Sequence, residues 1–201
     1  MLRIGVLASH EGTTLQSIID ACAQGRIGGR VVAVISNNSG SGALRRAAAA
    51  GIETFHLSST THCSGDPLDT AICDALQRAR ADVIFLAGYM KRLGPRTLAA
   101  FPARILNTHP ALLPKFGGHG MFGDRVFEAV LAAGDSESGA SVHLVDAEYD
   151  TGAVVRQERI RVLPRDTVES LKARVQACER ELVVTTLAAI ARGELVLGPS
   201  G

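Results

Sequence analysis

The chain has no tryptophan and only two tyrosines, Tyr89 and Tyr149, in 201 residues. That scarcity excludes the stacked aromatic platforms on which single-stranded nucleic acid is held. Charge of one sign is equally scarce. Lys and Arg number 21 against 20 Asp and Glu, and no like-charged run exceeds the pairs Arg45-Arg46 and Lys91-Arg92. A nucleic-acid groove or an anionic membrane surface calls for a larger imbalance, so neither partner is expected. No apolar run reaches transmembrane length. The N-terminus enters an apolar stretch at once, without a basic region, long apolar run and cleavage site in that order. The four cysteines, Cys22, Cys63, Cys73 and Cys178, include no C-x-x-C pair. Three of them fall in helical patterns and read as small apolar residues, which points to the reducing cytoplasm. H-E-x-x-H and zinc-ligand spacings are absent, so no metal is expected. No G-x-S-x-G elbow occurs, which disfavours a serine hydrolase.

What is present is an ordinary globular composition, 46% hydrophobic and 20% charged, in a length suited to one α/β domain over residues 1–201. Strand-like apolar runs at 4–8, 31–35, 54–57, 83–87 and 105–108 alternate with helical patterns at 15–24, 43–50 and 68–79. Uninterrupted Val, Ile and Leu indicate strands covered on both faces, and strand–helix alternation indicates right-handed parallel crossovers. After Gly134 the pattern changes. Longer strands at 140–145 and 154–162 flank a turn at Tyr149-Asp150-Thr151-Gly152, as in a hairpin. A final helix over 167–192 has Asp166 as its expected N-cap, Glu169 as the partner in a capping box, and Gly193 as its stop. The expected fold is a Rossmann-like, mostly parallel sheet flanked by helices, with a C-terminal antiparallel strand pair and a long last helix.

Three segments offer chemistry. The loop Ser9-His10-Glu11-Gly12-Thr13-Thr14 joins a buried strand to a helix, at the sheet edge where ligands bind. A helix N-terminus suits a phosphate there, although Ser and Thr also cap helices with no ligand present. Second, Gly118-His119-Gly120-Met121-Phe122-Gly123 matches G-x-G-x-x-G. It follows no strand directly, so it reads as a flexible surface loop rather than a dinucleotide fingerprint. Third, Asn107 and His109 lie two apart at a strand end and so share a face, and Pro110 and Pro114 stiffen the exit. An amide that donates and an imidazole that exchanges a proton near neutrality are what acyl transfer to an amine requires. His143, in mid-strand, reads as structural.

The run Asn107-Thr108-His109-Pro110-Ala111-Leu112-Leu113-Pro114 is similar to the signature of folate-dependent formyltransferases. Segments 15–21, 35–37, 86–90, 138–143 and 149–152 resemble that family's other motifs in the same order. The resemblance covers most of the chain and is strongest to members that formylate glycinamide ribonucleotide. It implies 10-formyltetrahydrofolate as co-substrate and Asn107, His109 and Asp150 as the catalytic trio, with Asp150 holding His109 in its charged form. The folate is expected near Met90, Lys91, Arg92 and Leu93 and against the loop carrying Asp146 and Asp150, with Asn107 reaching the formyl group. Gly12, Thr13 and Thr14 are expected to take the substrate phosphate, and Gln176 and Glu179 its ribose and amine end. The sequence departs from the family in places. His10-Glu11-Gly12-Thr13-Thr14 stands where a Gly-Asn-Gly-Ser-Asn run is usual, one arginine position aligns near Gly65, and Lys91 replaces another. Alternatives are a formyltransferase for another amine, such as an amino-sugar nucleotide, and a non-catalytic folate or nucleotide binding module. A homodimer is left open.

Overall fold

The computed structural model describes residues 1–63 and 65–198, so positions 64 and 199–201 of the expected domain lie outside the described residues. In chain order the elements are β1 (Leu2–Leu7), α1 (Thr13–Ala23), β2 (Gly29–Ser36), α2 (Gly42–Ala49), β3 (Thr54–His56), α3 (Asp66–Arg78) and β4 (Val83–Leu86). There follow α4 (Pro95–Ala100), β5 (Ile105–His109), α5 (Asp124–Ala133), β6 (Glu137–Leu144), β7 (Val154–Arg161) and α6 (Val168–Ala191). The strands form one sheet in the order β3-β2-β1-β4-β5-β6-β7. Pairing is parallel from β3 through β5 and antiparallel for β5–β6 and β6–β7. The Rossmann-like half and the C-terminal hairpin are therefore both as the sequence indicates.

The apolar runs are continuous because side chains alternate between two covered faces. Ile4, Val6, Val83 and Phe85 pack under α1 and α6, against Leu15, Ile18, Val183 and Leu187. Leu7, Ile84 and Leu86 face the other way, against Ile72 and Leu76 of α3 and Phe101. Burial of each such side chain contributes roughly 1.5–3 kcal/mol. The chain builds outward from β1 to β3, then returns to lay β4 on the opposite side of β1. The crevice at that reversal, beyond the carboxyl ends of β1 and β4, is where an open α/β sheet takes ligands. There Ser9 N donates to Gly88 O at 3.1 Å, and Met90 N donates to Ser9 Oγ at 2.8 Å.

Several local expectations need correction. The cap of α6 is Thr167, not Asp166. Its hydroxyl accepts from Ser170 N at 3.2 Å, and Ser170 Oγ, not Glu169, accepts in return from Thr167 N at 2.9 Å. Asp166 is one residue too early. It accepts instead from Leu163 N at 2.8 Å and pairs with Arg174. Two helices escape the sequence reading. The N-terminus of α4 is capped from a distance, by buried Asp69 of α3, whose carboxylate accepts from Arg96 N at 2.7 Å and Thr97 N at 3.1 Å. α5 carries a legible signal in Val126, Phe127 and Val130, all buried, but the glycine-rich stretch before it obscures where it begins.

Candidate active site

β5 ends with Asn107, Thr108 and His109 facing a cavity whose walls also include Gly88–Met90, residues 118–123, Tyr149, Asp150, Lys172, Gln176 and Glu179. Antiparallel register sets Asn107 opposite His143 and His109 opposite Ser141. Cross-strand partners share a face, so Asn107 Nδ2 donates to His143 Nε2 at 3.1 Å. Ser141 Oγ donates to Ala111 O at 2.6 Å and accepts from Leu113 N at 3.0 Å, pinning the Pro110–Pro114 exit in place. His143 is thus part of the polar cluster rather than a bystander in the strand. Only the register of a distant strand reveals this, which is why sequence reasoning missed it.

Asp150 adopts a left-handed backbone conformation, φ 57°, in the connection between β6 and β7. It turns its carboxylate between the two imidazoles. Oδ2 lies 3.4 Å from His109 Nδ1, Oδ1 lies 3.4 Å from His143 Nε2, and Gly118 N donates to Oδ2 at 3.0 Å. A backbone carbonyl can only accept, so His109 Nε2, 2.6 Å from Phe116 O, carries a proton, as does His143 Nδ1, 2.8 Å from Leu144 O. Burial pushes the Asp150 carboxyl up, but the His143 bond and the His109 charge, both present when those imidazoles are protonated, together with the Gly118 N–H outweigh it and leave the group below the usual carboxylate range.

Burial works against the charged state that Asp150 favours and that is expected for His109. Its side chain is only 4% exposed. That burial lowers its pKa, and the opposing pull of Asp150 and of the Phe116 carbonyl does not recover the loss. The His109–Asp150 distance is that of an ion pair, yet burial shifts the imidazole toward its neutral form. Its Nδ1 lone pair faces the carboxylate. A proton arriving on Nδ1 would meet a fixed negative charge, the arrangement of a base whose cation is stabilised as it forms.

A second, adjoining cleft is lined by Lys91, Arg92, Leu93, Asn107, His143, Asp146, Tyr149 and Asp150. Met90 lies in the first cavity, which shares Tyr89, Asn107, Tyr149 and Asp150 with this one. All the residues expected to meet the folate are therefore brought together. Asp146 shapes the loop by accepting from Glu148 N at 2.9 Å and from Thr151 Oγ1 at 2.8 Å. Arg92 bonds the Ala147 carbonyl and stands over the Tyr149 ring at 5.4 Å.

On the opposite wall, α6 presents Lys172, Gln176 and Glu179 at spacings of four and three, one helical face. Lys172 escaped the sequence reading. Thr108 Oγ1 donates to Glu179 Oε1 at 2.5 Å. Burial pushes the Glu179 carboxyl up, with Thr108 and Arg180 pulling against it. Gly12, Thr13 and Thr14 do not line this cavity. They sit one loop away, joined to its Gly88–Met90 rim through Ser9. Gly12 is left-handed at φ 70°, and a Cβ there would lie 2.8 Å from Ala43 Cα. As N-cap of α1 it offers no side-chain bond, so the first N–H groups of the helix stay open. The stretch 118–123 is the surface loop expected from the sequence, and it also forms one wall of the cavity, with His119 6.0 Å from Tyr149 between ring centroids. Among the described residues no cluster of three or more His, Cys, Asp or Glu could hold a metal ion.

The family model for formyl transferase matches residues 2–187. Phosphoribosylglycinamide formyltransferase of Mycobacterium tuberculosis is 42% identical over 198 residues, 98% of this chain and 88% of its own. The protein of the same name from Haemophilus influenzae is 38% identical over 197 residues, 98% of this chain and 91% of its own. Among solved structures, glycinamide ribonucleotide transformylase 1 from Symbiobacterium toebii superimposes with a TM-score of 0.90 at 40% identity, covering 99% of this chain and 92% of that one.

Proposed function

The chain belongs to the formyl transferase family, and from that premise we propose that Asn107, His109 and Asp150 carry a formyl group from 10-formyltetrahydrofolate to the amine of glycinamide ribonucleotide. The enzyme is a folate-dependent formyltransferase of purine biosynthesis. The observation that carries the residue assignment is the convergence of Asn107, His109, His143 and Asp150 where two clefts meet.

The steps follow from the geometry. One N–H of the Asn107 amide is engaged by His143, and the other remains to donate to the formyl oxygen as it becomes an oxyanion. The substrate amine attacks the formyl carbon, a C–N bond forms and the carbonyl π pair moves to oxygen. The amine proton passes to His109 Nδ1, where Asp150 balances the imidazolium. Collapse of the tetrahedral adduct breaks the bond to the folate nitrogen, which receives a proton from His109 as tetrahydrofolate leaves. The folate lies between residues 90–93 and the loop carrying Asp146 and Asp150. The substrate phosphate rests on Gly12, Thr13 and Thr14, where open N–H groups and the dipole of α1 favour an anion. Gln176 and Glu179 hold the ribose and amine end.

Residues 1–201 read as one domain, since all seven strands among the described residues join one sheet. The cytoplasm is its proposed compartment. All four cysteines are free, and among the described residues no helix is long and apolar enough to cross a membrane. The test is formyl transfer from 10-formyltetrahydrofolate to glycinamide ribonucleotide, in parallel with amino-sugar nucleotides and with water alone. Preference for glycinamide ribonucleotide supports the assignment. Preference for an amino-sugar nucleotide, or release of formate without transfer, contradicts it.

A further inference from the structure

We propose that Thr108 is a positioning residue for the amine substrate, acting through Glu179. This rests on the reading that Glu179 meets that substrate. β5 alternates, so Asn107 and His109 project toward His143 and the Asp150 carboxylate, while Thr108 between them projects toward α6. Its hydroxyl donates to Glu179 Oε1 at 2.5 Å, and both residues line the cavity. Oε1 is occupied by that bond. Among the described residues Oε2 has no hydrogen-bond partner, which leaves it for a donor on the ligand.

The strand that holds the reacting groups is therefore tied to the helix that holds the substrate by a side-chain bond one residue from each reacting group. A carboxylate bonded this way keeps one rotamer, so its free oxygen stays at a set distance from Asn107 and His109. The bond also opposes the burial that pushes the Glu179 carboxyl toward its neutral form, in which it would accept less well. Valine has the shape of threonine and suits a strand equally well. Replacing Thr108 by Val therefore removes the hydroxyl and little else.

The experiment is steady-state kinetics of Thr108→Val, Thr108→Ser, Glu179→Gln and the Thr108→Val/Glu179→Gln double variant. Thr108→Val should raise KM for glycinamide ribonucleotide about tenfold, the scale of a lost hydrogen bond to a charged group, with kcat within about twofold. KM for 10-formyltetrahydrofolate should stay at the wild-type value, and Thr108→Ser should restore most of the loss. In the Glu179→Gln background, Thr108→Val should add little, because the two act on one contact. If Glu179→Gln raises KM while Thr108→Val leaves it unchanged, the proposal is overturned and the role of Glu179 stands. An unchanged KM in Glu179→Gln overturns the underlying reading as well. Equal losses of kcat in Thr108→Val and Thr108→Ser would mark Thr108 as a structural strand residue and also overturn the proposal.

Discussion

Asp150 arrives at the cavity on the connection between β6 and β7, whereas Glu179 arrives on α6, and the two walls treat a carboxylate in opposite ways. Asp150 receives a backbone N–H from Gly118 and faces two imidazoles, and its pKa is lowered despite burial. Glu179 has one hydroxyl donor and the nearby charge of Arg180, and its pKa is raised. Burial acts on both in the same direction, so the groups that face each carboxylate decide the sign. Asp150 meets a backbone N–H and two imidazoles able to take up a charge, Glu179 one hydroxyl and Arg180. A carboxylate that must stay charged through a reaction is supplied with protein donors. One that recognises a ligand can be left short of donors, for the ligand to complete.

The sharpest way to break this contrast is to remove the charge on the well-supported side. Asp150→Asn keeps the shape but withdraws the negative charge beside His109 Nδ1, so the imidazolium formed during transfer loses its partner. The rate of formyl transfer should fall by about 10²-fold or more, on the scale of a lost acid–base contribution. Single-turnover assays with product mass would measure it, and a rate within a few-fold of wild type would mean that the charge is not used.

A smaller effect separates the two walls by stability. Because the folded-state pKa of Glu179 lies above its unfolded value, the stability it contributes is present below about 4.5, the ordinary Glu value, and is lost as pH rises through the folded pKa. Asp150 has the reverse sign. Its contribution is present above about 3.8, the ordinary Asp value, and is lost as pH falls through its depressed folded pKa. Urea unfolding between pH 4.5 and 7 should therefore show a shallower decline with rising pH in Glu179→Gln than in wild type. Asp150→Asn should act on that interval only through His109, whose further lowered pKa adds a rise in stability with pH. Parallel curves for Glu179→Gln and wild type would mean that the Glu179 carboxyl is not perturbed.

The smallest expected effect is spectroscopic. In the ligand-free protein, NMR titration of the His109 imidazole should give a midpoint below the ordinary histidine value of about 6.5. Asp150→Asn should lower it further, because the charge that favours imidazolium is gone. A wild-type midpoint above the ordinary value would restore the charged resting state that sequence resemblance suggests.

The parts legible from sequence are those in which neighbours along the chain are also neighbours in space. The buried strands and the Asn107/His109 pair at the end of β5 follow from a period of two, and the turn bearing Asp150 from its place between two strands, whereas Asp150, Gln176 and Glu179 are marked as site residues by the family resemblance. What was hidden depends on distant residues. His143 joins the cluster through the β5–β6 register. α4 starts at Pro95 because Asp69, in α3, receives its N–H groups. The lowered pKa of His109 comes from burial that a motif does not record. Thr108 stands between the two residues that carry the motif's chemistry, Asn107 and His109. Its hydroxyl gains meaning only when α6 lies across from it.

The central claim is that His109, next to an ionised Asp150, accepts and returns the proton that moves during formyl transfer. The most direct measurement is the turnover of His109→Ala and of the His109→Ala/Asp150→Asn double variant with 10-formyltetrahydrofolate and glycinamide ribonucleotide, with the formylated product identified by mass. His109→Ala should be at least as damaging as Asp150→Asn, and the double variant scarcely worse, because residues that act as a unit are not additive. Near-wild-type formation of formylated product by His109→Ala would contradict the account.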